Sequence, residues 1–249
     1  MREVAEHVAA LAREGRLLAE AARSAGPGAQ VPTCPDWKVA DLLLHTAGVH
    51  RWAADIVSRA LSEPEYDDSY FRSGPRDERA VDEYVEAHSA LCTALAAAPA
   101  GLSCFTFLPA PSDLAFWARR QCHEASIHRA DADAAAGIAT SYEPKHAADG
   151  IDELLTCFVP RPRSRLRSEK PWSMAVTTTD TGDAWTVAVS SEPPVTTQRA
   201  DAAAECTVSG TASDLYLLLW NRRRSDGMVI EGDPGLLGQW TEQVTVRWG

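Results

Sequence analysis

The stretch Arg119–Gly137, RRQCHEASIHRADADAAAG, sets a glutamate and a histidine four residues apart in an alanine-rich run that favours helix. At about 100° per residue, Glu124 and His128 point within roughly 40° of each other, one turn apart. One helix face then offers a carboxylate oxygen and an imidazole nitrogen, two of the donors that hold a divalent metal. His123 lies five residues before His128, points roughly 140° away from it and does not join the pair. The pattern is therefore not H-E-x-x-H, in which two histidines four apart bind zinc and the glutamate is the base. The same spacing also describes a surface ion pair worth about 0.2–0.5 kcal/mol, and the pair alone leaves both readings open.

A catalytic zinc site takes three protein ligands and keeps one position open. His45 is the best candidate for the third ligand. It follows Asp41-Leu42-Leu43-Leu44 on a strongly apolar helix face, which turns inward in a bundle. A histidine beside leucines equally describes a hydrogen-bonded core residue. His50 is turned away from His45 and suits the same site less, and His88 stands mid-helix among acidic residues. The six cysteines, Cys34, Cys92, Cys104, Cys122, Cys157 and Cys206, form no C-x-x-C pair and read as reduced thiols. Cys34 and Cys122 lie nearest the candidate segments.

Long helices have to position these groups. Residues 3–25 are amphipathic and stop at Gly26-Pro27-Gly28. Asp36 is the expected cap of a second helix from about Trp37, with Val39, Leu42, Leu43, Ala47 and Val49 apolar and Gly48 a possible break. An acidic, Tyr-rich loop at 62–77 leads to a third helix that ends at Pro99. A fourth starts at Ser112-Asp113 and runs to Gly137. Four helices of this length suggest a four-helix bundle. The pattern changes beyond 145. DGIDELLTCFVPRP reads as one short helix, and WSMAVTTTD and AWTVAVSSE as a hairpin turning at Thr181-Gly182-Asp183. AECTVSGT adds a third strand, and TASDLYLLLWNRR a helix capped by Thr211 or Ser213. GDPGLLGQW turns into another helical piece, and EQVTVRW either closes the sheet or continues that helix. The expected fold is α+β in two domains: a four-helix bundle over 1–145 and a smaller α+β domain over 146–249.

Composition narrows the function. The chain has 249 residues, 45% hydrophobic and 24% charged, the balance of a soluble protein with a sizeable core. Its net charge of −11 disfavours nucleic acid and anionic membranes as partners. No apolar run approaches the roughly 20 residues of a membrane span, and the charged N-terminus lacks a signal-peptide core, so a cytoplasmic location is expected.

Two segments resemble a known family. VPTCPDWKVADLLLHTAGVHRW carries Val-Pro-x-Cys-Pro-x-Trp-x-Val-x-Asp-Leu-x-x-His, as in the second helix of the DinB-like superfamily, in its mycothiol-dependent maleylpyruvate isomerase branch. WARRQCHEASIHRADADAAAG is similar to that branch's fourth-helix signature. SGTASDLYLLLWNRR with GDPGLLGQW resembles, more weakly, the α+β domain that follows the bundle. The resemblance spans essentially the whole chain.

The resemblance implies a divalent metal, typically zinc, held by His45, Glu124 and His128. It implies mycothiol, the thiol of actinobacteria, as cosubstrate, and a small electrophile as substrate. The activity is then maleylpyruvate isomerization or S-transfer, and a non-catalytic metal- or ligand-binding protein of the same fold is the alternative. A carboxylate substrate needs cations. Arg120 lies on the face of Glu124, Arg119 and Arg129 are close in sequence, and Arg222, Arg223 and Arg224 form a cluster expected to meet the cosubstrate. Asp131, three residues after His128, is placed to hydrogen-bond a ligand imidazole. A monomer or homodimer is expected.

Overall fold

The computed structural model describes residues 3–64, 69–71 and 74–244. The chain divides into two compact units, Met1–Thr140 and Ser141–Gly249.

The first unit is built on four helices, α1 Val4–Ala25, α2 Val39–Arg59, α3 Arg79–Ala97 and α4 Asp113–Ala135, with α1 packed along α4 and α2 along α3. Each boundary has a local cause. Gly26 ends α1 with a positive φ of 82°, a conformation that glycine adopts without a Cβ penalty. At α4 the Ser112 hydroxyl accepts the Ala115 N–H at 3.2 Å, the expected N-cap. The start of α2 differs from expectation: Lys38, not Asp36, is the cap residue. The preceding residues are folded back on themselves. The Val31 N–H donates to the Trp37 carbonyl at 3.0 Å and the Trp37 N–H to Cys34 at 2.8 Å, so Trp37 belongs to a turn. Asp41 then accepts the Lys38 N–H at 3.0 Å. Gly48 does not break α2. A Cβ there would meet the Phe71 ring at 2.6 Å, so the glycine is where this ring fits against the helix. Val39, Leu42, Leu43, Ala47 and Val49 are all buried, as the pattern requires. Trp52, two turns after His45, lies 5.2 Å from Trp117, two turns before Glu124, so α2 and α4 run antiparallel here.

The second unit carries a five-stranded mixed sheet in the order β3-β2-β1-β4-β5, from β1 Trp172–Thr178, β2 Ala184–Val189, β3 Val195–Thr197, β4 Cys206–Gly210 and β5 Val229–Gly232. β1 and β2 form the expected antiparallel hairpin, with Gly182 at φ 77° in its turn. β4 pairs parallel to β1. The helices are α5 Pro144–Asp152, α6 Ala212–Leu219 and α7 Gly235–Gln243. Helix α5 starts earlier than DGIDELLTCFVPRP suggests and passes into a π-helical turn, Glu153–Phe158. Thr211 caps α6, its hydroxyl accepting the Asp214 N–H at 3.2 Å. Edge strands β3 and β5 escaped the sequence reading: they have three and four residues and mostly exposed side chains, so no alternation marks them. Of the segment EQVTVRW, α7 takes in Glu242 and Gln243, and residues 245–249 lie outside the described residues. Among the described residues, no helix is long and apolar enough to cross a membrane.

Candidate metal centre

The fourth helix carries two donors on one face and the second helix supplies a third. One ligand atom from each of His45, Glu124 and His128 falls within 4.8 Å of the other two. His128 Nε2 lies 3.2 Å from Glu124 Oε1, and His45 Nε2 lies 3.8 Å from the same oxygen. The second distance is too long for a hydrogen bond, and His45 Nε2 is a buried atom with no hydrogen-bond partner. The two rings stand 5.3 Å apart and nearly perpendicular, at 79°. Two imidazole nitrogens and a carboxylate oxygen thus face a common point. This donor set fits a borderline cation such as zinc, and the unpartnered His45 nitrogen is the lone pair a metal would use.

Neighbouring groups fix the ligands. Asp131 is fully buried, and its Oδ2 lies 2.9 Å from His128 Nδ1. A proton on Nδ1 shared with that carboxylate leaves Nε2 as the metal-facing nitrogen. The other Asp131 oxygen accepts the Thr33 hydroxyl at 2.5 Å, which ties the turn before α2 to α4. Arg120, 1% exposed, directs Nη2 to Glu124 Oε2 at 3.4 Å. It lies on the Glu124 face of the helix.

The electrostatics suit a cation. Burial pushes the Glu124 carboxyl up, but the His128 hydrogen bond, the nearby His45 ring and the Arg120 charge outweigh it and hold the group well below the usual carboxylate range. Burial pushes His128 down, while Asp131 and Glu124 hold it up at about 9.

The surroundings of the donors were not read from spacing. The Trp37 ring lies 4.8 Å from the His45 ring, tilted at 49°, and 6.3 Å from His128. Phe71, 53% exposed, lies 6.3 Å from His45. Cys34 Sγ is 4.0 Å from Asp131. Trp37, Thr33 and Cys34 all come from VPTCPDW, so the motif's turn residues touch the site as well as its helix. His123 and His50 are not in this donor group.

The remaining candidates have other surroundings. Arg129 binds Glu14 at 2.8 Å and Asp133 at 3.2 Å. Arg222, Arg223 and Arg224 follow α6 in the second unit. Arg222 donates to the Trp220 carbonyl at 2.8 Å, and Arg223 binds Asp214 and the Asp226 carbonyl. Arg224 is exposed. None of the six cysteines is in a disulfide.

Comparison with known proteins follows the same division of the chain. Residues 8–133 match the family model of the mycothiol maleylpyruvate isomerase N-terminal domain, and residues 145–239 match that of the MDMPI C-terminal domain. Among solved structures, a crystal structure of the mycothiol-dependent maleylpyruvate isomerase is similar at 13% identity and a TM-score of 0.64, over 92% of this chain and 93% of that one. A histidine-to-alanine mutant of that enzyme gives 12% identity and 0.62 over the same shares. At this identity the likeness is one of fold. No curated protein matches the chain in sequence.

Proposed function

Because the chain belongs to the mycothiol maleylpyruvate isomerase family, we propose that it is a mycothiol-using enzyme whose zinc ligands are His45, Glu124 and His128. The observation that supports this most is the convergence of those three donors around an imidazole nitrogen with no partner of its own. Zinc held by these residues would supply a thiolate near neutral pH from a thiol whose free pKa is about 8.5.

The protein's own groups hold and orient. Asp131 fixes the His128 ring, Arg120 sets the Glu124 carboxylate, and Thr33 anchors Asp131. Trp37 and Phe71 flank His45 with apolar surface, which limits water around the sulfur. The reaction class is addition of the thiolate to an electrophilic small molecule. In isomerization, sulfur adds to a cis double bond conjugated to a carbonyl, and its electron pair moves onto the carbonyl side. The new single bond rotates, and expulsion of the same sulfur restores the double bond in the trans form. In S-transfer the adduct takes up a proton and leaves. Both begin with the same thiolate, so the ligand set serves either. In the second unit, the cluster Arg222, Arg223 and Arg224 is the candidate for cosubstrate recognition, with Arg223 held by Asp214.

The test is spectroscopic. Cobalt-substituted protein should develop a sulfur-to-metal charge-transfer band when mycothiol is added, and Glu124→Gln should weaken it. A cobalt spectrum indifferent to mycothiol would return the chain to the non-catalytic metal- or ligand-binding alternative.

A further inference from the structure

The first unit contains a second histidine pair that the candidate metal centre does not use. His50 on α2 and His88 on α3 have ring centroids 5.2 Å apart, and the Tyr84 ring lies 5.6 Å from His50 and 5.7 Å from His88. His50 and Tyr84 are fully buried, and His88 is 9% exposed. Both ring nitrogens of His50, the Tyr84 hydroxyl and Nδ1 of His88 are buried without a hydrogen-bond partner. The amide nitrogen and oxygen of Gln121 are in the same condition. Helix geometry puts Gln121 at the height of His50. His45 faces Glu124, α2 and α4 are antiparallel, and His50 lies about one turn further along α2 while Gln121 lies about one turn back along α4.

Six buried polar atoms on four side chains are not left unsatisfied in a stable core, and ordered water is the usual partner. None of the four side chains is a carboxylate, so the cluster is neutral and suits water better than a cation. Each side chain both donates and accepts. The ring of His88 reaches its place only because α1 has a glycine there: a Cβ on Gly15 would stand 2.1 Å from His88 Cε1. The outer end of the cluster meets Cys92, whose Sγ is 3.6 Å from His88 Nε2 and which is partly exposed.

We infer that Gln121, His50, Tyr84 and His88 line a water-holding chamber that carries the proton of the incoming thiol from the metal centre to the outer face of α3. This rests on the thiol reading above. A metal held by His45, Glu124 and His128 would favour the thiolate, so binding of the thiol there would break its S–H bond and release a proton. The proton passes to chamber water and then to one nitrogen of His50, whose other nitrogen gives up its own proton. His88 repeats the exchange and delivers a proton to solvent. Burial, and the proximity of His88, hold His50 well below an ordinary histidine, with His45 and His128 acting in the same sense and Glu124 against it. Burial also lowers His88, offset in part by the Ala12 carbonyl of α1. From α1, Glu14 bears on Tyr84, as does Cys92 from α3.

The experiment mixes cobalt-substituted protein with mycothiol in weakly buffered solution containing a pH indicator. It follows the charge-transfer band and proton release together. In the unaltered protein the two should rise at the same rate. In His50→Gln, metal content and final band should be retained while proton release lags by about a hundredfold, the low end of what a positioned proton-transfer group contributes. Added imidazole should restore it. His88→Gln, at the outer end, should also lag and keeps the test valid if the first variant folds poorly. Proton release that keeps pace with the band in both variants overturns the relay and leaves the metal centre intact. A cobalt-loaded protein with no band removes the thiol reading and the relay together.

Discussion

Two pairs of histidines stand side by side in one bundle at almost the same spacing, with ring centroids 5.3 Å apart for His45 and His128 and 5.2 Å for His50 and His88. Their chemistry is opposite. The first pair shares Glu124 and Asp131, and His128 is held up at about 9. The second has no carboxylate hydrogen-bonded to it, and burial holds both rings below an ordinary histidine. Ring spacing alone does not make a cation site. Carboxylates aimed at the rings decide whether a buried histidine pair attracts a metal or stays neutral and wet.

Removing a carboxylate from the first pair brings it towards the second. Asp131→Asn keeps the shape but no longer favours a proton on His128 Nδ1, and an amide can present its N–H there instead. Metal affinity should fall by about 10–100-fold, measured by competition with a chromophoric chelator. Unchanged affinity would mean that Asp131 does not orient the ligand.

Crowding the second pair should leave the first alone. Gly15→Ala puts a methyl group into the His88 ring, whose atoms lie 2.1–2.5 Å from the new carbon. Overpacking should cost about 1–3 kcal/mol in denaturant unfolding, beyond what alanine adds to helix propensity. The metal should remain. A stabilised variant would show that the His88 ring has room to move.

Acid should separate the pairs by a smaller margin. Burial holds His50 well below an ordinary histidine, which titrates at about 6.5, so below that pH the unfolded chain takes up a proton that the folded protein refuses. Its stabilising contribution is present above that pH and is lost as pH falls towards the folded value. His50→Gln cannot titrate. Its stability should therefore decline less steeply between neutral pH and pH 5, by a difference on the order of 1 kcal/mol. Parallel stability curves for the two proteins would contradict a neutral buried His50.

The long helices were legible because apolar residues recur at helical spacing over five turns or more, and because Gly26, Ser112 and Pro99 punctuate them. The two donors of α4 follow from a four-residue spacing. His45 stands out as the best third donor from its apolar helix face, which also suits a core histidine, and the resemblance is what implies it as a ligand. What local pattern does not carry is contact across a loop. Trp37 was read as helix, yet hydrogen bonds from Val31 and Gln30 to its carbonyl hold it in a turn that lays its ring on His45. His88 was read among acidic neighbours. However, Tyr84, His88, Leu91 and Leu95 fall on one face of α3 and are all buried, a 4-3-4 spacing that marks the core side. Strands β3 and β5 were too short to show a period.

The central claim is that the first pair, and not the second, holds a metal. Elemental analysis of protein purified without chelator tests it most directly, on the unaltered chain beside His128→Ala, His50→Ala and Cys34→Ala. The account predicts close to one zinc per chain in the unaltered protein, most of it lost in His128→Ala, and full occupancy in the other two. No metal in the unaltered protein, or a metal that survives His128→Ala and leaves with His50→Ala, would contradict it.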